Sequence, residues 1–192
     1  PIPDGLDFLR AAAFPETFST VWAAIYGQGK LKAGESMLVH GGSSGIGTTA
    51  IMWAKALGAG DIYATAGSPD KRERLRQMGV ALAMDSRSLA FADDLRAATH
   101  GQGVHVVLNS LAGDFIPATL SALGQGGTFL ELGKRDILTV ESAAALRPGG
   151  LLLVNSMGAD IIANAVRIVR ELFGGATPAR LGMMVGAEAE GS

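Results

Sequence analysis

From Ser36 onward the hydrophobic positions fall into short unbroken runs, separated by longer stretches in which apolar and polar residues recur at helical spacing. The runs "SMLVHGG" (36–42), "DIYATAG" (61–67), "ALAMDS" (81–86), "VHVVLNS" (104–110), "GGTFLELG" (126–133) and "GLLLVNSM" (150–157) predict six strands. Between them, "IGTTAIMWAKALGA" (46–59) predicts a helix closed by Gly58. "SPDKRERLRQMG" (68–79) predicts another, with Ser68 as cap, Pro69 in the first turn and Gly79 as the stop. "SLAFADDLRAATH" (88–100), "GDFIPATLSALG" (113–124) and "ADIIANAVRIVRELFGG" (159–175) complete the helices. Runs such as "HVVL" and "LLLV" carry no polar alternation, as strands covered on both faces require. Strand following helix without exception predicts an α/β fold: a Rossmann-type, doubly wound parallel sheet of about six strands with helices on both faces.

Residues 1–35 stand outside this alternation and read as a helical lead-in, one helix to about Phe14 and a second from Pro15 through Tyr26. The expected organisation is the lead-in, a nucleotide-binding domain over 36–185, and a flexible polar tail over 186–192. The 192 residues are 48% hydrophobic and 18% charged, ordinary for a globular chain. A formal charge of -2 with no dense Lys/Arg cluster gives no electrostatic footprint for nucleic acid or an anionic membrane. With no apolar run of about 18 residues and no signal-like start, the chain reads as cytoplasmic. It has no cysteine, and His40, His100 and His105 share no helical face, so no metal site is expected.

"VHGGSSGIGTTA" carries the first chemistry. A strand running through glycines into a helix N-terminus binds pyrophosphate, because that terminus offers unpaired N–H groups and a partial positive charge. In the register GxGxxG the chain supplies Gly42, Ser44 and Gly47, a serine replacing the second glycine. Gly42, Ser43, Ser44, Gly45, Ile46 and Gly47 are therefore the candidate phosphate-binding residues. A short-chain dehydrogenase would need Tyr-x-x-x-Lys downstream; the one occurrence, Tyr26 to Lys30, lies upstream in a turn.

Two resemblances sharpen this reading. "FPETFSTVWAAIYGQGKLKAGESMLVHGGSSGIGTTAIMWAKALGA" resembles the quinone oxidoreductases of the zinc-free branch of the medium-chain dehydrogenase/reductase superfamily. "DSRS", "VVLNSLAG" and "LELGKRDI", in that order and spacing, resemble the enoyl reductase domains of polyketide and fatty acid synthases, within the same superfamily. The likeness covers roughly residues 10 to 137. The end of the second strand, Ala66, Gly67 and Ser68 of "AGSPDK", has no carboxylate to hold the ribose of NAD, and Lys71 and Arg72 lie close by, which favours NADPH. The resemblance implies that Ser68, Lys71 and Arg87 contact its 2′-phosphate; Arg72 reads equally as a solvated helix face. "VLNSLAG" ends a strand where open α/β sheets bind ligands, so Asn109, Ser110 and Leu111 are expected along the nicotinamide ribose.

By the same resemblance Lys134 of "LELGKRD", after Gly133, is a candidate proton donor or enolate stabiliser, with Asp136 orienting it or starting the next turn. Some relatives pair that lysine with an aspartate on the sixth strand; here Asn155 takes the position, and Asp160 is the nearest acid. The implied reaction is hydride transfer from NADPH to the β-carbon of an α,β-unsaturated acyl thioester, presented by an acyl carrier protein among neighbouring synthase domains. Pairing of two copies through the sixth strand is open to it. An NADPH:quinone oxidoreductase and a non-catalytic nucleotide-binding domain are the alternatives. The substrate domain, built in such enzymes from segments before and after the cofactor domain, is expected to be absent from this chain.

Overall fold

The computed structural model describes Asp7 and residues 17–133, 135–136, 138–146 and 152–155. The expected helices to Phe14 and over 159–175, Asp160 and the tail lie outside the described residues.

Six strands, β1 Met37–Val39, β2 Ile62–Ala66, β3 Leu82–Asp85, β4 Val104–Asn109, β5 Leu123–Glu131 and β6 Leu152–Asn155, form one sheet in the order β3-β2-β1-β4-β5-β6. Every pairing is parallel, with Leu38 opposite Tyr63 on one side and Val107 on the other. The lead-in helix α1 spans 17–28, its Trp22–Gln28 turns wound as a π-helix. The crossover helices are α2 Gly45–Ala56, α3 Pro69–Gln77, α4 Phe91–Ala98 and α5 Phe115–Ala122; a short α6, Val140–Leu146, precedes β6.

The two-residue period of the strands sorts their side chains into two cores. Met37, Val39, Ile62, Ala64, Val106, Leu108 and Leu130 pack under Ile51 of α2, Leu75 of α3 and Ile25 of α1. Leu38, Tyr63, Val107 and Phe129 pack on the other face against Phe91 and Leu95 of α4 and Ile116 and Leu120 of α5. Burial of each large side chain contributes about 1.5–3 kcal/mol, so the two layers hold the sheet from both sides.

The local signals act as read. Ser68 caps α3 by accepting the Lys71 N–H at 3.3 Å, Pro69 opens the helix, and Gly79 follows it at φ +77°. Gly58 closes α2 at φ +76°. Two features differ from expectation. β5 begins at Leu123, inside the stretch read as a helix end and turn: Val104 pairs with Leu123, and the glycine-rich residues 124–127 bulge out before Val106 pairs with Thr128. α6, of seven residues, is too short to show a helical repeat, and no helix was expected there.

Candidate functional site

β1 and β4 lie side by side, and the chain leaves them in opposite directions along the sheet, so a crevice opens beyond their carboxyl ends. The glycine loop fills one side of it. Past Val39 the backbone turns at Gly41, with φ +63°, and Ser44 caps α2 by accepting the Gly47 N–H at 3.0 Å. The N–H groups of Gly45 and Ile46 have no acceptor among the described residues, and Ser44, Gly45 and Ile46 are exposed. Gly47 is buried: a Cβ there would stand 2.4 Å from Gly41 O and 2.6 Å from Gly42 Cα, so α2 starts directly against the loop. The serine at the second motif position turns its hydroxyl into its own helix, and open space remains at Gly45. Across the crevice, Ser110 Oγ lies 3.6 Å from the Cβ position of Gly41.

His40, immediately before the loop, is buried under it. Thr119 Oγ1 donates to Phe115 O at 2.7 Å, so it accepts from His40 Nε2–H at 2.9 Å; Nδ1 in turn faces Thr65 Oγ1 at 3.1 Å. Thr65 Oγ1 also accepts the Gly41 N–H at 3.3 Å, tying the loop to the network. Burial without an opposing charge drives the imidazole pKa down to about 3. His40 is thus a neutral strut between β2, α5 and the glycine loop.

A cationic cup surrounds the β2–α3 turn. The strand ends at Ala66–Gly67–Ser68, and Arg87 lies over it, its Nε 3.2 Å from the Cβ position of Gly67. Asp85 Oδ1 accepts the Arg87 N–H at 2.9 Å. Arg72 is no solvated helix face: it donates to Ala66 O at 3.1 Å and pairs with Asp85 at 3.3 Å. Lys71 is exposed beside them.

On the far side of the crevice, β4 and β5 end in register at Asn109 and Glu131, both 0% exposed. Asn109 Nδ2 donates to Glu131 Oε2 and to Leu111 O, each at 2.9 Å, while its Oδ1 accepts the Leu111 N–H at 3.3 Å. Glu131 Oε1 accepts the Gly133 N–H at 2.5 Å. Burial pushes the Glu131 carboxyl up from its ordinary range, and the bonds from Asn109, Gly133 and Leu132 pull against that rise. Asn109 therefore spends its amide beneath the crevice, on its own turn and on Glu131, where its sequence position suggested a side chain along a ligand. Ser110 and Leu111 are the residues left facing outward. Asp136, at φ +54°, accepts the Gly113 N–H at 3.1 Å, so it joins the two loops. Lys134 lies outside the described residues. Glu131 and the His40 network escaped the sequence reading; the signal for Glu131 was one carboxylate inside the otherwise apolar "FLEL".

A cradle of exposed N–H groups, a cationic cup and two loop ends at one sheet margin form the dinucleotide crevice of such folds. Residues 45–155 match the model of the zinc-binding dehydrogenase family. The chain belongs to that family. Over 136 residues, 71% of the chain, it is 45% identical to phthioceranic/hydroxyphthioceranic acid synthase of Mycobacterium tuberculosis. It is 44% identical over 156 residues, 80% of the chain, to highly reducing polyketide synthase 40 of Fusarium pseudograminearum. It spans 6% of the length of either synthase. Among solved structures it is similar to the nucleotide-binding subdomain of the enoylreductase domain of PpsC from M. tuberculosis, 37% identical with a TM-score of 0.69, covering 84% of this chain and 95% of that one.

Membership in the zinc-binding dehydrogenase family implies a nicotinamide cofactor, and the N–H groups at Gly45 and Ile46, which have no acceptor among the described residues, would suit its pyrophosphate. Among the described residues the metal of the family's name finds no fitting set of ligands. The chain has no cysteine, His40 is spent between two threonines, and His105 Nδ1 accepts the Ser36 N–H at 3.1 Å. No group of three or more His, Asp or Glu at ligand spacing occurs among the described residues. None of the described helices is long and apolar enough to cross a membrane.

Proposed function

We propose that this chain is the NADPH-binding half of an enoyl reductase, acting within a polyketide or fatty acid synthase on an enoyl thioester carried by an acyl carrier protein. The observation that carries the choice of NADPH is the β2–α3 turn. It offers no carboxylate to the adenosine ribose, and Arg87, Arg72 and Lys71 gather at it. Ser68 and Lys71 on one side and Arg87 on the other would hold the 2′-phosphate. The loop Gly42–Gly47 would hold the pyrophosphate, and Ser110, Leu111 and Gly133 would flank the nicotinamide end. Bound there, NADPH supplies the hydride that reduces the β-carbon. Lys134, next after Gly133, is the residue proposed to protonate the α-carbon or to stabilise the enolate oxygen. Asp136 supports it by joining its loop to Gly113. The likeness to the two synthases, above 40% identity, supports an acyl thioester as the substrate class. β6 is an outer strand of the sheet, and pairing of two copies there belongs to the same reading.

The test is a longer chain carrying the flanking substrate segments, assayed for NADPH oxidation with a crotonyl-pantetheine thioester and with a quinone. Turnover of the thioester, lost in Lys134→Ala, is the expected result. Turnover of the quinone alone would make the protein a quinone oxidoreductase, and cofactor binding with no hydride transfer to either would make it a nucleotide-binding domain only.

A further inference from the structure

The carboxyl ends of β4 and β5 are joined by a buried pair whose chemistry leaves little freedom. Leu111 contributes both an N–H and a C=O to Asn109, so the Asn109 amide has one orientation; reversed, both contacts would become repulsive. The amide N–H₂ then points at Glu131 and demands an acceptor. On the other oxygen the Gly133 N–H demands a second acceptor. A carboxylate satisfies both, whereas a glutamine, with one oxygen, satisfies one and opposes the other with its own N–H₂. The fit is mutual: a Cβ on Gly133 would stand 2.7 Å from Glu131 Oε1, so a larger residue there displaces the carboxylate from this position. An exposed second tie, Gly113 to Asp136, spans the same two loops.

We propose that Glu131 is a positioning residue: through Asn109 and Gly133 it sets the spacing of the Ser110–Leu111 and Leu132–Gly133 turns, between which the nicotinamide end of the cofactor is held. This rests on the NADPH reading above. Glu131 touches no ligand itself; it acts by fixing two backbone segments that do. Its effect is confined to one end of the crevice, because the adenosine end is built from β2, α3 and Arg87, and β1 and β4 lie between β2 and the strand that carries Glu131.

That confinement separates positioning from mere stability. The 192-residue chain is titrated with NADPH and with adenosine 2′,5′-bisphosphate, which keeps the adenosine end and lacks the nicotinamide. For Glu131→Gln, NADPH binding weakens about tenfold, the scale of one lost hydrogen bond to a charged group, while bisphosphate binding is unchanged. Glu131→Ala loses more. Gly133→Ala, which keeps the carboxylate but displaces it, reproduces the selective loss if Glu131→Ala fails to fold. Equal weakening of both ligands, or of neither, overturns the proposal and leaves Glu131 a structural residue. A wild-type chain that binds neither ligand removes the NADPH reading itself, and the proposal with it; a wild-type chain that binds both while the variants match it removes this proposal alone.

Discussion

Gly47→Ala is expected to weaken dinucleotide binding severely and to lower the stability of the domain. A Cβ at this position meets Gly41 O at 2.4 Å and Gly42 Cα at 2.6 Å, and both are backbone atoms that no rotamer change can move aside. Either α2 shifts outward or the loop opens, and in both cases the free N–H groups at Gly45 and Ile46 leave the position from which they face a pyrophosphate. Overpacking of this kind costs about 1–3 kcal/mol, and a displaced phosphate loop loses on the order of a hundredfold in affinity. Gly45→Ala is the control for stability alone, since no protein atom stands within 4 Å of its Cβ position. Urea unfolding and NADPH titration of the two variants check this. Wild-type binding by Gly47→Ala would show that the loop is not where the phosphate sits.

Acid is expected to destabilise the domain through His40. Its pKa falls from 6.5 to about 3 on folding because the buried ring has no charge to face, only Thr65, Thr119 and the edge of Phe91. A depressed folded pKa means that protons bind the unfolded chain more tightly. The stabilisation from a neutral His40 is therefore fully present above pH 6.5 and is lost as pH falls toward 3. At pH 5 the loss amounts to about 2 kcal/mol, before most carboxylates titrate. His40→Gln removes this proton uptake, so its unfolding midpoint, though lower at pH 7, falls less between pH 7 and 5. Parallel profiles for the two proteins would contradict a buried neutral imidazole.

What the sequence made legible follows from how locally each feature is encoded. The glycine loop, the Ser68 cap and the stops at Gly58 and Gly79 are written in adjacent residues, and each sits where its local chemistry placed it. The strands were legible because burial on both faces leaves unbroken apolar runs such as "HVVL". The start of β5 was not, since "LGQGG" spells a turn in every local scale and pairs with Val104 only across a bulge. Glu131 was hidden for a different reason. One acid in a strand reads as a solvent-facing position, and its partner Asn109 lies 22 residues away on the neighbouring strand. The same distance effect concealed His40, whose ring partners are 25 and 79 residues along the chain. Asn109 was correctly placed at the end of its strand, yet a type of residue that serves equally as ligand contact and as turn clamp needs its neighbours to decide between them. Arg72 was open in the same way, and its guanidinium folds back on the strand end it follows.

The most direct measurement is a fluorescence titration of the 192-residue chain with NADPH and with NADH, repeated on Lys71→Ala. NADPH is expected to bind at least about tenfold more tightly than NADH, the worth of one charge-assisted phosphate contact, and to lose most of that margin without the lysine. Equal affinity for the two cofactors, untouched by Lys71→Ala, would contradict a 2′-phosphate site at the β2–α3 turn.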